Sequence, residues 1–286
     1  MRRLLARRDA KSCVKESMEN ILSKIPPFEP GSVWLLGAGP GDLGLLTLYA
    51  VEGLRQADVL VYDALVSREI LDLTGPNCVL EYAGKRGGKP SAAQQDISDR
   101  LVTLAREGKK VLRLKGGDPY IFGRGAEEVL TLKANDIPFR VIPGISSGVG
   151  GLAYAGIPLT HRSTNSAATF VTGHDANGDV PNVQWEHIAK GSPVIVIYMG
   201  MKHIRTIAEK LISFGRSENE PVAIIANATL ANQQVLTTTL ATAADDVAKS
   251  SIKPPALIVV GQVVDLHDQL DWFTSNATAT VGGHSG

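Results

Sequence analysis

Cysteine is almost missing from this chain. Cys13 and Cys78 are the only two, far apart and in no CxxC pattern, which argues against a disulfide framework or a thiolate zinc site and fits a reducing compartment. An excess of one charge is missing too. Lys and Arg number 29, as do Asp and Glu, so no global positive field points to nucleic acid as a partner. No apolar run approaches the roughly 18 residues needed to span a bilayer, and the N-terminus has no contiguous apolar signal core. A soluble, cytoplasmic protein is expected. The six histidines (His161, His174, His187, His203, His267 and His284) show no HxxxH or HxH spacing, so no metal site is expected. G-x-x-x-x-G-K-[ST] is likewise absent.

With 286 residues, 44% of them hydrophobic, the chain has length for two domains and ample core without staples. From Val33 onward, short β-branched runs alternate with helical stretches, the pattern of βα units on a largely parallel sheet. Five strands are expected in the first half: 33–36, 59–62, 79–81, 111–114 and 139–142. Leu46, Ala50, Leu54 and Ala57 repeat at helical spacing, and Ser91 with Gln94 forms a capping box for a helix that Gly108 ends. Strand character lapses after Gly144 and resumes at 169–171, with further strands at 194–198, 222–225 and 256–260 in a second sheet that is expected to have fewer strands and a mixed pattern. Helices are expected near Met201 to Ser213 and Ala241 to Ser250. The division is therefore an N-terminal extension over 1–30, an α/β domain over 31–150, a second over 151–270, and a disordered tail over 271–286.

Glycine-rich loops follow the strands. Gly37-Ala38-Gly39-Pro40-Gly41-Asp42 sits where a dinucleotide-binding turn would, but Asp42 replaces the third glycine of G-x-G-x-x-G and Pro40 removes a backbone N–H. Asp63, after the second strand, suits a ribose hydroxyl, so a dinucleotide-dependent oxidoreductase stays open beside a plain tight turn. Gly116-Gly117-Asp118-Pro119 allows a ligand close to backbone, with Asp118 as an acceptor for ribose hydroxyls or an ammonium and Pro119 suited to a first helical position; an ordinary turn is the alternative. Arg124 and Glu127 share a helical face, as a surface ion pair or something more. Lys85-Arg86-Gly87-Gly88-Lys89-Pro90 is either a clamp for an anion or a solvated basic loop. Pro143 to Gly148 and Gly156 to Arg162 add turns near the boundary, where ligand clefts tend to lie, and Arg162 can meet a carboxylate bidentately. The sequons at Asn227 and Asn276 mean little in a cytoplasmic chain.

In order, GAGPGD, VLVYDALVS (Val59 to Ser67), GKRGGKPS (Gly84 to Ser91), RLKGGDPYIFGRGAEE (Arg113 to Glu128), VIPGISS, AGIPLTHR and TGHD (Thr172 to Asp175) resemble the tetrapyrrole methylases. Within them, GKRGGKPS, FGRGAEE and AGIPLTHR are most similar to the uroporphyrinogen-III C-methyltransferases. The likeness runs from about Ser32 to Leu266. It implies two α/β domains with a cofactor cleft between them and, without a metal, S-adenosylmethionine as methyl donor, leaving S-adenosylhomocysteine. It also implies methylation of ring carbons 2 and 7 of uroporphyrinogen III to precorrin-2, for siroheme, cobalamin or d-type heme, by a homodimer.

The resemblance assigns the cofactor to Pro40, Gly116, Gly117, Asp118, Ile121, Ser146, Ser147, Met199, Ala228 and Ala256, with Ser146-Ser147 where family members often carry Thr-Ala or Thr-Ser. Arg124, Glu127 and Arg162 match positions tied to substrate binding and catalysis. The many carboxylates of such a substrate give Lys85, Arg86, Lys89, Arg124 and Arg162 a reason to line a cleft in a neutral chain. A sulfonium methyl is already electrophilic and a pyrrole carbon already nucleophilic, so alignment supplies most of the catalysis. The Arg124 guanidinium stays protonated at neutral pH, which makes it a poor proton acceptor, and it is expected to anchor substrate; Glu127 orients it or takes a proton. Little length remains for a fused dehydrogenase-chelatase domain, so separate enzymes are expected to consume the product. The nearest alternative within the family is a methylase acting on a later corrin intermediate.

Overall fold

The computed structural model describes residues 19–83, 94–175 and 177–273, and the chain divides into two compact units. The first runs to Ala38 and resumes over Leu46–Gly144; the second takes Gly39–Leu45 and the chain from Ile145 on. The division falls earlier than the expected 150, and the glycine-rich turn after the first strand goes with the second unit.

In the first unit β1 (Val33–Gly37), β2 (Val59–Tyr62), β3 (Val79–Tyr82), β4 (Val111–Lys115) and β5 (Phe139–Ile142) make a parallel sheet in the order β3-β2-β4-β1-β5. Trp34, Leu36, Leu60, Leu112 and Leu114 pack with α1 (Leu48–Gln56) and α2 (Arg68–Leu71). Val33, Leu35, Val59, Val61 and Val111 pack with α3 (Gln94–Arg106) and α4 (Gly125–Ala134) on the other face. The inner strands β1, β2 and β4 are buried on both faces, as strands inside a parallel sheet are, while the edge strands β3 and β5 are partly exposed. Thr47 caps α1 by accepting from the Ala50 N–H at 3.1 Å, and Gly108 follows α3 at φ 78°. Ser91, the other half of the expected capping box, lies outside the described residues. The chain leaves β1 for β2 on one side and β4 for β5 on the other, so these neighbours form a switch point, where α/β sheets bind ligands beyond their carboxyl ends.

Part of the expected N-terminal extension is packed onto the first unit. Phe28 is 1% exposed, stacks on Trp34 with ring centroids 4.4 Å apart, and donates its N–H to Gln56 Oε1 at 3.3 Å. Burying one aromatic ring secures that stretch; residues 1–18 lie outside the described ones.

The second unit holds β6 (Thr169–Thr172), β7 (Ile195–Tyr198), β8 (Pro221–Ala226), β9 (Gln234–Thr239) and β10 (Ala256–Val260) in the order β6-β7-β10-β8-β9. The sheet is mixed, as expected: β6 and β7 are parallel, and the other pairs antiparallel. Sequence reasoning missed β9, a partly exposed edge strand whose three threonines hide its alternation. It also missed α5 (Ser147–Tyr154), in a stretch too rich in glycine to read as helix. The helices α6 (Trp185–Gly191), α7 (Ile204–Ser213) and α8 (Ala243–Lys249) cover the core of this sheet, and α9 (His267–Leu270) closes the described chain. Within the expected tail, Trp272 Nε1 donates to the Ala153 carbonyl at 3.0 Å and its ring meets Tyr154 at 5.0 Å. The rest of the expected tail, 274–286, lies outside the described residues. No described helix is long and apolar enough to cross a membrane.

A charged quartet lies inside the first unit. Arg113 and Lys115 project from β4 with side chains 1% and 3% exposed, and Glu128 of α4 is fully buried. Glu128 Oε1 accepts from Arg113 Nε at 3.0 Å, Lys115 Nζ at 3.2 Å and Gln94 Nε2 at 2.8 Å. Arg113 Nη2 and Lys115 Nζ reach the two Asp63 oxygens at 2.6 and 3.5 Å. Glu128→Ala leaves two buried cations sharing one partly exposed carboxylate, so unfolding in urea should show a loss of about 3–5 kcal/mol. Glu128→Gln, which keeps the acceptor oxygen, should lose less.

Candidate active site

The strand exits of the first unit meet backbone against backbone. A Cβ on Gly37 would lie 2.5 Å from the Gly117 carbonyl and 2.6 Å from Gly144 Cα. No residue with a side chain lets the ends of β1, β4 and β5 approach this closely. Asp118 ties the loops together, accepting from the Gly144 N–H through Oδ2 at 3.1 Å and from the Tyr120 N–H through Oδ1 at 2.8 Å. Each oxygen keeps a lone pair for a further donor.

Pro119 does not open a helix. The chain turns through left-handed Phe122 (φ 52°) and Arg124 (φ 58°), and α4 starts at Gly125, whose N–H donates to the Pro119 carbonyl at 3.0 Å. A Cβ on Gly123 would lie 2.8 Å from that same oxygen. Two non-glycine residues in a left-handed conformation are strain of the kind that gathers at functional sites. Arg124 grips Glu127 with both limbs, Nε to Oε1 at 2.9 Å and Nη2 to Oε2 at 2.6 Å, with both side chains more than half exposed. The guanidinium holds the Glu127 carboxyl below the ordinary carboxylate range, and the carboxylate raises the arginine. Glu127 is thus a weak base and a firm orienting group.

In the second unit α5 is the hub. Its glycines admit neighbours closely: a Cβ on Gly150 would lie 3.1 Å from Pro40 Cγ, and one on Gly151 2.8 Å from Ala228 Cβ. The Tyr198 hydroxyl meets Gly148 from the end of β7. Pro40, Ser146, Ser147 and Ala228 are thereby gathered around one short helix. Met199, exposed and left-handed at φ 56°, directly follows Tyr198. Ala256 reaches this group through the backbone, since the Asn227 N–H donates to the Pro255 carbonyl at 3.2 Å.

Asp42 holds the first loop in place. Its Oδ2 accepts from the Tyr154 hydroxyl at 2.7 Å, its Oδ1 from the Gly44 N–H at 2.7 Å, and its own N–H donates to Thr229 Oγ1 at 3.0 Å. Thr229 is left-handed at φ 68°, and its N–H donates to Gln233 Oε1 at 2.8 Å. The motif therefore ends in a carboxylate that fastens the turn, where a dinucleotide fingerprint has glycine. Asp63, read as a possible ribose partner, is engaged by Arg113 and Lys115 instead.

Arg162 is exposed on a turn organised by Asn165. Asn165 Oδ1 accepts from the His161 N–H and Thr164 Oγ1, and Nδ2 donates to the Leu159 and Ala167 carbonyls, all at 2.9–3.0 Å. Lys85, Arg86 and Lys89 lie outside the described residues. Sequence reasoning missed Arg113, Lys115 and Glu128, although cations inside the apolar run Val111-Leu112-Arg113-Leu114-Lys115 were a visible signal. Tyr154, Tyr198 and Asn165 gave none, because their partners lie far off or in irregular chain.

A model of the Tetrapyrrole (Corrin/Porphyrin) Methylases matches residues 32–244. The chain is 60% identical over 257 residues to a Sinorhizobium protein named uroporphyrinogen-III C-methyltransferase, covering 90% of this chain and 92% of that one. It is 46% identical over 273 residues to a siroheme synthase of Neisseria meningitidis, covering 96% of this chain but only 54%, about half, of that longer protein. Among solved structures, the uroporphyrin-III C-methyl transferase of Thermus thermophilus complexed with S-adenosylhomocysteine superposes with a TM-score of 0.72 at 36% identity, over 82% of this chain and 99% of that one.

The Asp42 network predicts a stability effect with a pH signature. Burial and then the Asp42 carboxylate push the Tyr154 phenol up from 10.0 to about 12. A raised tyrosine stabilises the fold below its unfolded value, and that contribution disappears as pH rises from there through the folded one. Tyr154→Phe should cost about 1.5–3 kcal/mol at neutral pH, the range for a hydrogen bond to a charged group. In urea unfolding the gap to the unaltered chain should narrow above pH 10.

Proposed function

The chain belongs to the tetrapyrrole methylases, and from this we propose that it is the S-adenosylmethionine-dependent enzyme that methylates uroporphyrinogen III at ring carbons 2 and 7 to give precorrin-2. The observation that carries the reading is the side-chain-free ledge of Gly37, Gly117 and Gly144 at the carboxyl ends of three adjacent parallel strands. A ledge without side chains suits close contact between backbone groups and a ligand, which supports cofactor binding there, and Asp118 keeps acceptor capacity beside it. We assign Gly116, Gly117, Asp118 and Ile121 of the first unit, and Pro40, Ser146, Ser147, Met199, Ala228 and Ala256 of the second, to this cofactor.

When bound, S-adenosylmethionine supplies a sulfonium methyl that is already electrophilic. The residues then have to hold an electron-rich pyrrole carbon in line with it. Arg124 and Arg162, with Lys85, Arg86 and Lys89, are the groups we assign to the carboxylates of the substrate. Glu127 fixes the Arg124 guanidinium so that it meets a carboxylate in one orientation, and the lowered Glu127 favours this role over proton removal. We place the enzyme in the cytoplasm as a homodimer whose product passes to siroheme, cobalamin or d-type heme synthesis. Size-exclusion chromatography with light scattering tests the assembly.

Purified protein incubated with uroporphyrinogen III and S-adenosylmethionine should yield a product heavier by two CH2 units, each transferred methyl replacing a proton, with the absorption of a precorrin; an unmethylated substrate overturns the proposal. Arg124→Lys, which loses the two-limbed grip, should lower kcat/KM about 10–100-fold. Glu127→Gln should mainly raise KM for the tetrapyrrole, whereas a collapse of kcat would give Glu127 a proton-transfer duty.

A further inference from the structure

We infer that Tyr198 is a positioning residue for the cofactor: its hydroxyl caps α5 in place of the Ser146 side chain and so fixes the Ser146-Ser147 turn. The inference rests on the assignment of Ser146, Ser147 and Met199 to S-adenosylmethionine made above.

Ser146 occupies the N-cap of α5 with extended backbone (φ −69°, ψ 146°), from which a serine hydroxyl ordinarily accepts an N–H of the first turn. It makes no such bond. The N–H of Gly148, the second residue of the helix, donates instead to the Tyr198 hydroxyl at 2.9 Å, and that hydroxyl also lies 2.7 Å from Ser146 Oγ. One oxygen, about fifty positions along the chain, thus satisfies the orphan donor and anchors the displaced serine. Glycine at 148 is part of the arrangement, since a Cβ there would collide with the Tyr198 hydroxyl. Tyr198 is itself held: its side chain is buried, Phe170 meets its ring edge to face at 5.7 Å, and its carbonyl accepts from the Gly173 N–H at 2.6 Å.

Immediately after it the backbone turns left-handed at Met199. A single stiff side chain therefore links the turn bearing Ser146 and Ser147 to the strand end bearing Met199. Loosening that strut leaves the reacting groups intact but releases the backbone that meets the cofactor, so its effect belongs in affinity for S-adenosylmethionine and S-adenosylhomocysteine.

The test is Tyr198→Phe in the full chain, with S-adenosylhomocysteine binding measured by calorimetry beside steady-state kinetics in both substrates. Roughly tenfold weaker binding is expected, as for one buried hydrogen bond lost from a site. KM for S-adenosylmethionine should rise in parallel, with kcat at saturation and KM for the tetrapyrrole within about twofold of the unaltered enzyme. Unchanged affinity for S-adenosylhomocysteine overturns the inference, as does a loss spread equally over both KM values and kcat, which marks a general structural role. If Tyr198→Phe does not fold, Gly148→Ala expels the same hydroxyl and is held to the same outcomes. Failure of the unaltered chain to bind S-adenosylhomocysteine overturns the cofactor reading itself, an outcome separable from unchanged binding in the variant.

Discussion

Contact between backbones is the constraint on which the first unit depends at its working end. Gly37, Gly117 and Gly144 terminate or follow adjacent strands β1, β4 and β5, and a side chain on Gly37 or Gly144 would strike the carbonyl of Gly117. The rest is arranged around that contact. Asp118 stitches the loop after β4 to the loop after β5, and the Ala38 N–H reaches the Lys115 carbonyl at 2.7 Å. Gly123 and Gly125 fold the next turn back onto Pro119, and between them Arg124 leads into α4 in a left-handed conformation that disfavours arginine. The strain at Arg124 follows from keeping it close to the loop.

The quartet beneath this loop explains how α4 keeps its seat. Apolar residues at 113, 115 and 128 would fill the same space without the desolvation that buried charges incur, and such replacements are often neutral or stabilising. Charged groups offer geometry instead. Glu128 receives donors from β4 and from the start of α3 at once, all on Oε1, so the first turn of α4 has one hydrogen-bonded position along the sheet where a greasy contact would allow several. Glu127 faces away from that anchor and holds Arg124. Neighbouring carboxylates on one helix therefore serve opposite sides, one fixing the helix and the other presenting a cation.

The parts legible in the sequence were those with local causes. Strands β1 to β5 were visible as apolar runs, and the loops were visible because glycine next to a strand end has few other uses. The Arg124–Glu127 pair was visible from its three-residue spacing, although Arg124 lies just ahead of the helix in a left-handed conformation. Phe28 was read as part of a loose extension because nothing nearby shows that Trp34 awaits it. The helix α5 was illegible for a related reason: Gly148, Gly150 and Gly151 lower helix propensity, and what makes them tolerable is contact with Tyr198, Pro40 and Ala228, each far away in sequence. Asp42 showed in the sequence only as the residue that replaces a fingerprint glycine, and nothing near it revealed that its oxygens are directed to Tyr154 and Gly44.

That last case bears on how such motifs are read. A carboxylate in a glycine-rich loop can touch a ligand, or it can hold the loop in the shape the ligand needs; sequence distinguishes them poorly because both uses require the same residue. Partners separate the two. Asp42 has each oxygen engaged by its own unit and an N–H committed to Thr229, whereas Arg162 stands exposed on a turn held by the side chains of Asn165 and His161. A site whose chemistry is alignment should be rich in both kinds: a few groups left free to meet ligands, and a larger set that meets none and fixes where the free ones point.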